Sequence, residues 1–211
     1  MQAIIDMLNH LRIPHCMEGD SLAIHGDLSF TNPSITTLPD GLICYHTLTI
    51  NNGNLTALPE GLVVHGDLHL QAAKVTTLPL SLVVLGTLDL SYSRLGSLPK
   101  GLKIHGSLNL SHSCMATLPE GMNVPGTLDL EDSEIISLPE GLSVGESLDL
   151  TDSAIATLPE RLSVGANLYL VGSNITELPR KLFVGGDLHL PQGDFYQLPA
   201  DLKLEGDLFR Y

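Results

Sequence analysis

The dipeptide Leu-Pro recurs every 20 residues without a single insertion, at Leu38-Pro39, Leu58-Pro59, Leu78-Pro79, Leu98-Pro99, Leu118-Pro119, Leu138-Pro139, Leu158-Pro159, Leu178-Pro179 and Leu198-Pro199. Ten residues away from each pair stands another constant leucine, running from Leu28 and Leu48 to Leu188 and Leu208. A period this short leaves each unit too small to bury its own apolar face. Only stacking of successive units can close a core, so the period predicts a solenoid before any single element is considered.

One turn, Leu58 to Thr77, reads LPEGLVVHGDLHLQAAKVTT. Leu62, Val64, Gly66, Leu68 and Leu70 alternate at period two, the pattern of a strand. Gly66 interrupts it where a side chain would crowd a bend. The reading is a short strand at about 67–71 preceded by a second extended piece at about 62–64. Pro59 has a fixed φ and no N–H, so it belongs to a turn and not to the sheet. A Pro and a Gly in each unit leave no room for a helix. The expected fold is a β-rich solenoid of leucine-rich-repeat type. Parallel strands spaced about 4.8 Å line a concave face, with extended or turn-like segments opposite. Residues 22–211 supply nine full 20-residue turns and a terminal strand.

Residues twenty apart then stack as core columns: Leu22/Leu42/Leu62, Ile24/Cys44/Val64, Leu28/Leu48/Leu68, Phe30/Ile50/Leu70, Ile35/Leu55/Val75 and Leu38/Leu58/Leu78. Cys44, Met115 and Met122 fill these columns as small or flexible hydrophobes. Leucine dominates and there is no tryptophan, so the core consists of many similar thin layers.

The ends depart from the repeat. Residues 1–21 read as an N-terminal cap with a helix at about 2–12, whose Ile4, Ile5, Leu8 and Leu11 share one face and which Pro14 ends. An amphipathic recognition helix is the alternative. Arg210 stands in a leucine column and polarises the final layer against a further strand. Tyr169, Phe183, Phe195, Tyr196, Phe209 and Tyr211 gather toward the C-terminus, as a plug or as an oligomer or partner contact.

Over residues 22–211 the repeat resembles the LPX-type bacterial leucine-rich repeats of the YopM and IpaH groups of secreted effectors. The resemblance rests on the Leu-Pro pair, the L-x-L strand core such as Leu128-Asp129-Leu130, the Leu or Ile five residues after the last strand leucine, as at Leu130 and Ile135, and the 20-residue length. Two features depart from that pattern. A second Leu-Pro is replaced by E-G-L-x-V-x-G, as at Glu60 to Gly66. The asparagine column holds Ser93, Ser113, Ser133, Ser153 and Ser173, with Pro33, Gly53, Ala73 and Gly193 elsewhere. A serine hydroxyl can still bond nearby backbone, more weakly. The resemblance implies a binding scaffold, or an adaptor delivered into host cells. The cysteine-dependent ligase domain of the IpaH group is not expected, because the repeats run to the last residue.

With 24 acidic and 10 basic residues the formal net charge is -14, which repels phosphate backbones and anionic lipid. Nucleic acid and membranes are therefore not expected as partners; a protein with a basic surface is. Oligomeric state is left open. Cys16, Cys44 and Cys114 are odd in number and scattered, fitting neither a disulfide framework nor a metal-ligand spacing. That points to a reducing, cytoplasmic setting, the alternative being secretion into a host cell without a cleaved signal peptide. Residues 1–12 carry no positive n-region, and no apolar run is long enough to span a bilayer.

The column between the two strand leucines faces outward. It reads Ser29, Thr49, His69, Asp89, Asn109, Asp129, Asp149, Tyr169, His189 and Phe209, passing from neutral to acidic to aromatic. The candidate partner-binding residues are Asp89, Asp129, Glu131, Asp132, Asp149, Asp152, Tyr169 and His189. Constant register would stack Asp129 on Asp149 and Asp132 on Asp152. Like charges one strand apart repel by about 3 kcal/mol at an effective dielectric of 20 and far less in open water, so partial shielding would raise their pKa values. A solvated acidic face is the plain alternative. A divalent-cation site lacks the glycine-bearing loop of calcium sites. His25, His65 and His105 recur on alternate turns, about 10 Å apart, too far to share a metal. His112 and Cys114 are neighbours without an evident carboxylate to orient them. Gly145, Gly165, Gly185 and Gly186 read as bend glycines and not as a phosphate loop. No catalytic set, cofactor or metal is expected. The expected role is protein binding, with an end-to-end structural assembly as a further alternative.

Overall fold

The computed structural model describes residues 1–30, 36–50, 54–192 and 198–211. Pro33, Ile35, Gly53, Gly193, Phe195 and Tyr196, given repeat or terminal roles above, lie outside the described residues. The chain is a parallel β-solenoid with a single N-terminal helix among the described residues. One ladder is a ten-stranded sheet running from Leu28–Phe30 to Leu208–Arg210. Its register is constant: Leu68 pairs with Leu88, Leu88 with Leu108, Leu108 with Leu128, and Leu168 with Leu188.

The second extended piece is more than a connecting segment. It forms a parallel ladder of its own through pairs such as Val63 with Val83 and Val64 with Val84. In each turn it precedes the strand of the ten-stranded sheet by only a few residues, as Val63–Val64 precedes Leu68–His69. The bend is tight. A Cβ at Gly66 would lie 2.7 Å from the carbonyl carbon of His46 in the preceding turn, so only glycine fits.

Between the ladders the leucines stack without gaps. Leu68, Leu88, Leu108, Leu128, Leu148, Leu168 and Leu188 are all fully buried. Truncating one such leucine to alanine typically costs about 2–5 kcal/mol, because a thin layer cannot collapse around the cavity. Cys44, Met115 and Met122 are buried in the same core, and burial pushes the Cys44 thiol up to about 12. In the serine column Ser133, Ser153 and Ser173 donate to the carbonyls of Leu130, Leu150 and Leu170 at 2.6, 2.7 and 2.8 Å, inside their own turn.

The cap is built from two parts. The helix α1 (Gln2–Leu11) buries Ile4 and Leu8 and half-buries Ile5. Leu11, expected on the same face, is exposed: the helix stops there with Arg12 in the left-handed region, and Ile13 packs on the core in its place. Strand β1 (His15–Glu18) then turns back on β2 (Ser21–Ile24) as an antiparallel hairpin, pairing Cys16 with Ala23 and Glu18 with Ser21. The edge of the second ladder is thus covered by a strand of opposite direction.

The second ladder is interrupted. It comprises a six-stranded sheet ending at Lys103–Ile104 and a five-stranded sheet starting at Asn123–Val124. At this position in other turns a backbone N–H reaches the previous turn, as from His105 to Val84 at 3.1 Å and from Gly145 to Val124 at 2.8 Å. Pro125 occupies the place and has no N–H to give. A groove of about 220 Å³ lined by Leu102, Ile104, Pro119 and Met122 opens at the seam.

Candidate binding face

The outer row of the ten-stranded sheet assembles as the repeat implies. Asp89 pairs with Asn109, Asn109 with Asp129, Asp129 with Asp149, Asp149 with Tyr169, and Tyr169 with His189. These side chains are half-buried, whereas Glu131, Asp132 and Asp152 are exposed. Asp89 is separated from the Asp129–Asp149 pair by one strand, that of Asn109, and its Oδ2 lies 3.6 Å from His69 Nδ1.

The acidic row also has a local job that column reading alone does not reveal. Oδ1 of Asp89, Asn109, Asp129 and Asp149 accepts a hydrogen bond from the backbone N–H two residues on, that of Ser91, Ser111, Glu131 and Thr151, at 2.9, 2.8, 3.1 and 2.9 Å. Each is an Asx turn that stops the strand. The signal was present in the sequence: Asp and Asn interchange in this column, and both offer the same acceptor. The cap needs an oxygen, not a charge, and Asn109 makes it while neutral.

The charge at Asp129 is accordingly surplus to folding. Burial, together with the neighbouring Asp149 and Glu131, holds the Asp129 carboxyl above its ordinary value, against the lowering effect of its own hydrogen bond from Glu131.

The turn that follows each strand places one residue in the left-handed region: Tyr92, His112, Asp132 and Asp152, with φ of 56°, 54°, 48° and 54°. Aspartate tolerates this better than a bulky residue. The backbone N–H groups of Asp132 and Asp152 donate to Thr151 and Val171 of the next turn at 2.9 and 2.8 Å, which holds the conformation. Asp132 therefore projects from the turn beside the strand and binds His112 Nδ1 at 2.8 Å, with the His112 ring stacked on Tyr92 at 4.5 Å. This corrects the expectation that nothing orients His112: the turn column supplies the carboxylate. The Cys114 thiol donates to the Ser93 carbonyl at 3.8 Å. Asp152 does not join Asp132 in an equivalent pair; its carboxylate lies over the backbone of Gly172.

Beyond Asp149 the face becomes aromatic. Tyr169, His189 and Phe209 stack ring on ring at 4.4 and 5.0 Å, Tyr211 adds a further ring 5.6 Å from His189, and Tyr211 Oη lies 3.1 Å from His189 Nδ1. Phe209 and Tyr211 thus lie exposed on the outer face instead of plugging the core: Phe209 holds the outward position of the last strand, Leu208–Arg210, and Tyr211 follows just past its end. Leu208, beneath them, remains 36% exposed.

A second cluster lies on the cap, where separation along the chain hid it. Cys16, Glu18 and His25 bring their ligating atoms within 4.8 Å of one another. Cys16 Sγ lies 3.4 Å and Glu18 Oε1 3.8 Å from His25 Nε2. The only advance signal was Cys16 and Glu18 at alternate positions before a turn at Gly19.

A scan against protein-family models finds no match, and a search of curated proteins finds none either. The geometry itself establishes a repeat protein: a parallel solenoid of 20-residue turns with leucines in register. No described helix is long and apolar enough to cross a membrane.

Proposed function

We propose that the chain is a protein-interaction scaffold that receives a partner with a basic surface on the outer face of its ten-stranded sheet, around Asp129 and Asp149. The observation that carries this reading is the direct stacking of these two half-buried carboxylates, in a column where neutral Asn109 shows that the turn needs no charge. Two like charges on adjacent strands are a cost to the free protein, and an incoming Lys or Arg relieves it. Exposed Glu131, Asp132 and Asp152 extend the patch on one side, and the stacked Tyr169 and His189 offer flat apolar area on the other. Tyrosines beside a charged patch suit a protein interface. Binding without catalysis is the role this open face supports best.

The finer setting rests on the resemblance to LPX-type repeats: a bacterial protein, cytoplasmic or delivered into a host cell as an adaptor. Free thiols at Cys16, Cys44 and Cys114 suit a reducing compartment. A reporter fused behind residues 1–21 and assayed for export separates the two settings.

The geometry selects the test of binding. Replacing Asp129 and Asp149 by lysine would remove two turn caps along with the charge. D129N/D132N/D149N/D152N keeps the acceptors and removes the charges alone. Affinity capture by wild type and variant, read by mass spectrometry, should find partners lost with the charges and released by moderate salt. Identical capture by both proteins rejects the reading.

A further inference from the structure

We infer that Cys16, Glu18 and His25 form a binding site for a soft divalent transition-metal ion, zinc before others. Pairing of Cys16 with Ala23 and Glu18 with Ser21 puts Cys16, Glu18, Ala23 and, two residues on, His25 on one face of the hairpin. The N–H of His25 donates to Pro14 O at 2.8 Å, so the pairing extends to that residue. Ala23, wholly buried between them, adds no bulk that would keep Cys16 from His25.

The spacing suits one ion. Tetrahedral zinc with bonds of ordinary length sets its sulfur and nitrogen ligands about 3.6 Å apart and its nitrogen and oxygen ligands about 3.3 Å apart. The corresponding separations are 3.4 Å for Cys16 Sγ to His25 Nε2 and 3.8 Å for His25 Nε2 to Glu18 Oε1. Small side-chain rotations close the difference, and all three residues are exposed and able to make them.

The next turn holds two of the ligands in place. The Tyr45 ring lies flat on His25 at 4.7 Å and 8°, and is itself backed by His65 at 4.7 Å. Its hydroxyl donates to Glu18, with both carboxylate oxygens at 3.2 Å. Outer partners that fix an imidazole and a carboxylate in this way are a recurring part of metal sites. Thiolate, imidazole and carboxylate together select zinc-like ions over calcium or magnesium, which prefer oxygen alone. Three protein ligands on an exposed face leave a fourth position to water.

The test uses the full-length protein, stripped with chelator under reducing conditions and titrated with Co²⁺ and then Zn²⁺. One equivalent of Co²⁺ should produce a thiolate-to-cobalt charge-transfer band, and Zn²⁺ should displace it while raising the melting temperature. Proton release and tighter binding at higher pH should accompany loss of the thiol proton. C16S should abolish the band and weaken Zn²⁺ binding by more than about 100-fold; Y45F should weaken it by about 10-fold. C114S should leave both unchanged. Circular dichroism checks the variants, and E18Q, which keeps its shape, reports the loss of a ligand even if H25A loosens the hairpin. Absence of one-equivalent binding in the wild type, a band that survives C16S, or a band lost in C114S would overturn the assignment.

Discussion

On the N-terminal side of Pro125, the residue that follows each short strand of the second ladder is bulky: His25, Tyr45, His65, Leu85 and His105. A glycine then comes one place later, at Gly26, Gly66, Gly86 and Gly106, except after Tyr45, where His46 stands. On the C-terminal side the earlier place is itself glycine in three turns, at Gly145, Gly165 and Gly185, with Glu146, Ala166 and Gly186 at the later one, before the last turn returns to the first pattern with Glu205 and Gly206. The hydrogen bond made there is the same on both sides: His65 N–H to Cys44 O at 2.8 Å, Gly165 N–H to Val144 O at 2.9 Å. What changes is the room for a side chain. At Gly165 a Cβ would fall inside the van der Waals shell of the Gly145 carbonyl oxygen, whereas Tyr45 in the same column carries a full ring outward. One ladder is therefore closed by two bend geometries. The geometry determines whether the edge carries rings and ligands, as it does around His25 and Tyr45, or bare backbone.

The largest break in this comparison should come from G165A. The added methyl meets backbone that cannot step aside, and the expected loss is about 2–4 kcal/mol by chemical denaturation. H65A, in the same column before the seam, should cost under about 1 kcal/mol. Equal losses in the two variants would show that the halves do not differ in their bends.

P125A addresses the seam itself. A new N–H facing the Ile104 carbonyl contributes about 0.5–1.5 kcal/mol, offset by about 0.4–1 kcal/mol from releasing the proline constraint in the unfolded chain. Net stability should therefore change by under about 1 kcal/mol. The decisive readout is hydrogen exchange: if the two sheets join, it should slow at the amides of residues 123 and 124, and the new amide at position 125 should be protected.

The smallest effect is expected at Asp129 in the other sheet. Its carboxyl is held above the ordinary 3.8, so between those two values the folded state binds more protons than the unfolded chain. The carboxyl's destabilising effect is absent below the ordinary value and grows as pH rises through the raised one. D129N, which keeps the turn cap, should melt about 1–2 °C higher than wild type at neutral pH. That difference should vanish in acid; an advantage of equal size at all pH values would show that the charge is not its source.

The solenoid was legible in the sequence because every consequence of a constant period follows from it. The strand at 67–71 and the piece at 62–64 match Leu68–His69 and Val63–Val64, and the stack of Asp129 on Asp149 is a matter of register. Features that occur once escaped that logic. The hairpin β1–β2 has no counterpart in the repeats, so neither its direction nor the meeting of Cys16 with His25 could be read from columns. The interruption at Pro125 comes from one missing donor in a column where the neighbouring turns each give a backbone N–H. The Asx caps and the Asp132–His112 contact depend on backbone conformation just past the strand, where the left-handed residue turns its side chain away from the column it occupies in the alignment of repeats.

In an array whose layers touch only their neighbours, stability is a chain of layer-to-layer couplings, and the weakest coupling decides where the chain divides. Between Ile104 and Asn123 one of the two ladders is absent and the other continues. The other sheet, the shared core and the bond from Gly126 N–H to the Gly106 carbonyl at 3.1 Å still join the two sides, so the seam is the expected weak coupling between two blocks. The Cys16 hairpin belongs to the first block, and the Asp129–Asp149 pair with the rings beyond it to the second. An ion held by the hairpin should therefore tighten its own block more than the acidic face, and occupation of one surface is expected to have little effect on the other.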